Sequence, residues 1–101
     1  MNCTEYLVTL NIPPSLEELM VDSLLLLESE HGFSSFPVRA HHHDNSGLSL
    51  AEQVAGRQKR IRFQMYVPVE ELPALLAQLR EEFSDSGIQY WVLPVIEAGI
   101  I

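Results

Sequence analysis

The sequence predicts an α+β domain: a four-stranded antiparallel sheet carrying two helices on one face. Three observations lead there. Two segments repeat apolar residues at helical intervals, Leu16, Leu19, Met20, Leu24 and Leu27 in the first and Leu72, Leu75, Leu76, Leu79 and Phe83 in the second. Four shorter segments are rich in β-branched and aromatic residues or alternate apolar with polar. Read in order they give β-α-β-β-α-β, which closes into the layered ferredoxin-like arrangement.

Tyr6 to Ile12 (YLVTLNI) reads as the first strand, and Pro13-Pro14 ends it. Ser15 and Glu18 have capping-box spacing, so the first helix is expected over residues 15–30. Gly32 follows as a left-handed stop. Phe33 to His42 reads as the second strand. Pro37 inside it has no amide donor, which places that strand at a sheet edge or a bulge. Residues 44–56 form a polar connection with two glycines, expected to be the most mobile internal segment, within which Leu48 to Val54 has the composition for one or two helical turns. From Lys59 to Val67 the alternation is clean: Ile61, Phe63, Met65 and Val67 on one face, Arg60, Arg62, Gln64 and Tyr66 on the other. The second helix starts around Pro68 to Glu71, with acids at its positive end and Pro73 in its first turn. Ser84 to Gly87 turns the chain into a last strand, Ile88 to Leu93, broken by Pro94.

A chain of 101 residues is a single domain, residues 1–101. Its hydrophobic content of 47% argues against disorder. A formal net charge of −8 argues against nucleic acid and anionic membranes as partners, because both require cations to displace counterions. The longest apolar run, Leu24 to Leu27, is too short for membrane insertion. One cysteine, Cys3, cannot form an internal disulfide, and no secretory signal pattern opens the chain, so a cytoplasmic location is expected. A small core and an apolar C-terminal segment (Trp91, Leu93, Val95, Ile96, Ile100, Ile101) point to association between copies.

Two constellations flank the central connection. His41, His42 and His43 run into Asp44, and neutral imidazole is a common ligand for Zn and Cu. On a strand His41 and His43 share one side, and Asp44 offers a further ligand or an acceptor for an imidazole N–H. The competing interpretation is a solvated strand end, since the tract lacks the fixed spacing of an established metal motif. Cys3 adds a soft donor elsewhere in the sequence. The second constellation is Arg57, Lys59, Arg60 and Arg62, four of the six basic residues within six positions. Arginine grips phosphate or carboxylate bidentately, so these residues are candidates for holding a small anionic effector. Singly, each is most simply a surface charge. Neither a P-loop nor a nucleophile elbow is present, and no acid, base and nucleophile converge, so catalysis is not expected.

The layout, with its long connection between the second and third strands, resembles the PII-like signalling proteins and the related CutA divalent-cation-tolerance proteins. More closely, GFSSFPVRAHHHDNSGLSLAEQVAGRQKRIRFQMYVP, residues 32–68, resembles a bacterial family of PII-like proteins often encoded beside heavy-metal efflux pumps. The resemblance implies a homotrimer, a ligand-responsive loop at about Asp44 to Gln58, sites between subunits, and an efflux component as partner. The sequence lacks the uridylylated-tyrosine loop and the ATP-binding glycine pattern of true PII proteins, so the resemblance does not extend to nitrogen sensing or ATP. The expected function is therefore a trimeric sensor or accessory protein of metal homeostasis, binding Cu or Zn through His41, His42, His43 and Asp44. The alternative is a regulator that takes a small anion through the arginines, without metal. A small ferredoxin-like enzyme is the third reading.

Overall fold

A computed structural model describes residues 3–27, 32–41 and 58–101 of the chain. The strands are β1 (Glu5–Ile12), β2 (Phe33–Ala40), β3 (Gln58–Pro68) and β4 (Gln89–Pro94), and the helices are α1 (Glu17–Leu25) and α2 (Leu72–Phe83). All strand pairs are antiparallel, in the order β2-β3-β1-β4. The two central strands come from opposite halves of the chain, as the β-α-β-β-α-β reading requires. β2 lies at an edge, which is where Pro37 is tolerated.

Register decides which residues meet. Val8 lies opposite Met65, Leu10 opposite Phe63 and Tyr6 opposite Val67, so the apolar set of β3 meets that of β1 on one face. Met20 and Leu24 of α1 and Leu75 and Leu79 of α2 close over it, forming one core with Phe63 fully buried at its centre. Phe33 of β2 extends the core sideways, its ring centroid 6.0 Å from that of Phe63. Gln78 of α2 donates to Ser23 Oγ of α1 at 3.4 Å, which ties the helices together where the buried hydroxyl needs a partner.

Both helices begin differently from the sequence expectation. Ser15 is not an N-cap. It sits inside a 3₁₀ turn, Pro14–Leu16, whose Leu16 N–H donates to the Pro13 carbonyl at 3.0 Å. The α-helix starts only at Glu17, and Leu16 before it makes no side-chain cap. Proline explains the difference. Pro13 holds φ −60 with ψ 142, extended and fixed, so the chain must tighten immediately after it. Pro68 does the same with φ −53 and ψ 142, leading into the 3₁₀ turn Val69–Glu71 and then α2. The chain thus uses one device twice: a strand ending in proline, a tight turn, then a helix with a glutamate pair near its start, Glu17-Glu18 or Glu70-Glu71. α1 is also shorter than expected. It ends at Leu25 with Leu26 as its C-cap, and the Leu27 N–H closes back on the Leu24 carbonyl at 3.1 Å. The expected mobile connection at 44–56 and its helical turns lie outside the described residues.

The turn from α2 into β4 carries two residues in the left-handed region, Asp85 at φ 59 and Gly87 at φ 77. Nothing lies within 4 Å of a Cβ added at Gly87 or at Gly99, so substitution at either meets no clash. Of these two, only Gly87 has a backbone that penalises a side chain. Gly87→Ala is therefore expected to lower stability by about 1 kcal/mol, whereas Gly99→Ala stays within about 0.5 kcal/mol of wild type. Urea unfolding of the two variants checks this, and equal stability would show that the turn relaxes out of its left-handed form.

Candidate functional site

Two surfaces involve β3 residues that lie outside the buried core. The first lies at the far end of the β2–β3 ladder. Pairing ends where Ala40 meets Gln58, and His41 follows directly as an exposed residue. His42, His43, Asp44 and Arg57 lie outside the described residues. Among the described residues, no three His, Cys, Asp or Glu side chains come together as a metal site. Cys3 does not join His41 within a chain. It sits beside the start of β1, its thiol donating to the Glu5 carbonyl at 2.7 Å, and Glu5 pairs with Pro68 at the opposite end of β3 from Gln58. An eleven-residue strand separates those ends by about 30 Å.

Lys59 and Arg60 line a cleft of about 610 Å³ beside this ladder end, together with Pro14, Pro37 and Ile61. The cleft holds a third cation that the sequence reading did not include, Arg39. Register explains its presence: Arg39 lies directly across from Lys59, a cross-strand pair of like charge. The antiparallel pairing of 33–40 with 58–65 was the signal that would have found it. Arg60 is held by a bond from its Nε to Gln58 Oε1 at 3.0 Å.

Arg62 does not line that cleft. It lies on the sheet face opposite the helices, where its Nε donates to Asn11 Oδ1 at 2.8 Å and its guanidinium sits 5.1 Å from the centre of the Trp91 ring. That face is a surface in its own right. Register places Leu7, Thr9 and Asn11 of β1, Arg62, Gln64 and Tyr66 of β3, and Trp91 and Leu93 of β4 on it. Thr9 is fully buried there although no helix covers it, because Trp91 lies across from it and Gln64 reaches its hydroxyl at 3.4 Å. Around this polar centre the apolar groups remain open, with Leu93 51% and Tyr66 41% exposed.

A family model described as "Protein of unknown function (DUF3240)" matches residues 3–101. The chain belongs to the DUF3240 family. The crystal structure of a DUF3240 family protein from Shewanella baltica superposes with a TM-score of 0.80 at 24% identity, covering 100% of this chain and 99% of that one. PII from Arabidopsis thaliana bound to citrate superposes at 0.67 with 14% identity, over 93% of this chain and 79% of that one. CutA from Synechococcus elongatus complexed with Bis-Tris superposes at 0.68 with 15% identity, over 98% and 87%. No curated protein sequence matches the chain significantly. This DUF3240 chain therefore has the fold of the PII and CutA proteins. Among its described residues no helix is long and apolar enough to cross a membrane.

Proposed function

We propose that this protein is a PII-like sensor or accessory protein of transition-metal homeostasis, working as a cytoplasmic homotrimer that binds rather than catalyses. His41, His42, His43 and Asp44 supply the ligands for Cu or Zn, and an efflux component is the partner that reads the bound state. One observation carries the reading: the sheet ends its pairing at Ala40 and presents His41 to solvent, so the histidine tract starts from a rigid strand end. The trimer forms through the helix-free sheet face, where exposed Leu93, Tyr66 and Trp91 surround the Arg62–Asn11 pair. Fully buried interface centres favour aromatic residues and arginine, which is the composition found there.

Native mass spectrometry of untagged protein reports stoichiometry and retained metal together. Calorimetry with Zn(II) and Cu(II) follows. Wild type is expected to bind, and His41→Ala with His43→Ala to abolish binding without loss of fold, since His41 lies outside the core. Binding weakens as the pH falls and imidazole loses its lone pair to a proton. A double variant that binds as tightly as wild type makes the tract a polar strand end and nothing more.

The cleft at Arg39, Lys59 and Arg60 supports a second reading, a small anionic effector held without metal. Two cations face each other across the ladder there and a third lies beside them, a grouping that suits a small anion. A protein of this fold, Arabidopsis PII, has been captured with citrate, a polycarboxylate. Citrate binding lost in Arg39→Ala but kept in the histidine double variant would select this reading, with Arg57 as a further contributor to test.

A further inference from the structure

Away from the sheet surfaces, the turn after α2 roofs a cavity of about 430 Å³. Its interior is apolar: Leu10, Met20, Leu76, Leu79, Phe83 and Ile88. Its rim carries one cation, Arg80, held by a bond to Tyr90 Oη at 3.0 Å with the guanidinium 6.0 Å from that ring's centre. Arg80 is the only Lys or Arg after Arg62 in the sequence. Asp85 also lines the rim, so a multiply charged anion is a poor occupant. A mostly apolar segment with a single carboxylate is a good one.

The chain carries such a segment. Beyond β4, residues 95–101 (VIEAGII) hold Glu97 as their one charged side chain. Ile96, Ile100 and Ile101 are exposed, so they do not fill the cavity of their own chain. The segment also departs from the wrong end of β4. Pro94 pairs with Tyr6 and the Val95 N–H binds the Glu5 carbonyl at 3.1 Å, whereas the cavity opens beside Ile88 and Tyr90 at the strand's beginning. Leaving three isoleucines in water is unfavourable, and a second copy offers a matching pocket.

We infer that the segment 95–101 of one copy docks into the cavity beneath the α2–β4 turn of another, its isoleucines in the apolar interior and Glu97 against Arg80. The docking rests on the proposed function only in that copies associate, and it does not depend on metal or anion.

Charge exchange between copies tests it by sedimentation equilibrium over the micromolar range. Arg80→Glu and Glu97→Arg each weaken association, by about two- to fivefold for an exposed pair. Mixing the two single variants restores it in part: in a ring of three, two of the three contacts become complementary and one stays mismatched. Ile100→Asp with Ile101→Asp weakens association by more than about tenfold. If mixing restores nothing, or if the isoleucine variant associates like wild type, the docking is wrong while assembly through the sheet face stands. If the double variant Arg80→Glu/Glu97→Arg recovers but the mixture of singles does not, the segment folds onto its own chain and docking between copies is overturned. A wild-type protein that stays monomeric overturns both the docking and the trimer.

Discussion

Leu93→Asp is expected to turn the assembled protein into single chains at micromolar concentration. Leu93 pairs with Leu7 on the helix-free face and is 51% exposed in the isolated chain, so its loss removes no core contact. The proposed association is what makes the position sensitive. A symmetric assembly buries every copy of the new carboxylate, and desolvating an unpaired charge costs several kcal/mol per group. Light scattering should report one chain for the variant and three for wild type, with far-UV circular dichroism unchanged. A trimer mass retained by the variant would place the interface elsewhere. Trp91 is a less direct probe, because Arg62 stacks on it and an acid there would gain a cation beside it.

Phe63→Ala is expected to lower stability by about 3–5 kcal/mol, through lost transfer free energy and the cavity left behind. The ring lies in a central strand, is fully buried, and packs against Phe33 from the neighbouring strand. Phe63→Leu, which keeps most of the volume, should cost less than about 1.5 kcal/mol. Urea unfolding at one fixed protein concentration separates the two, since association adds to apparent stability and must be held constant. A loss below about 1 kcal/mol for Phe63→Ala would mean that the helices close over the gap.

The sheet and its faces were legible because strand alternation is a local signal with a two-residue period. Ile61, Phe63, Met65 and Val67 announce their face in the sequence, and Pro37 announces an edge. Helix starts were less legible. Ser15 and Glu18 fit a capping box, but the rigid extended Pro13 before them imposed a 3₁₀ turn and displaced the cap. Of the candidate site, the sequence pointed to Lys59 and Arg60 and missed Arg39. That omission has a physical cause: charges twenty positions apart become neighbours only through register, which depends on pairing along the whole ladder. Alternation already put Arg62 on the face away from Phe63; what register adds is Asn11 and Trp91 within its reach. The histidine tract beyond His41 and Arg57 lies outside the described residues, so their candidacy still stands on sequence.

Pro37 has a further consequence for how this protein can and cannot aggregate. A sheet whose outer strand is fully furnished with amide donors can recruit another chain, and then another, into an open fibre. At position 37 an incoming strand meets a pyrrolidine ring in place of an N–H, and two residues on it meets the charge of Arg39. Growth along that border is therefore blocked by chemistry built into the strand itself. The proposed assembly uses the flat of the sheet instead, where rotational symmetry can bring it to a finite end.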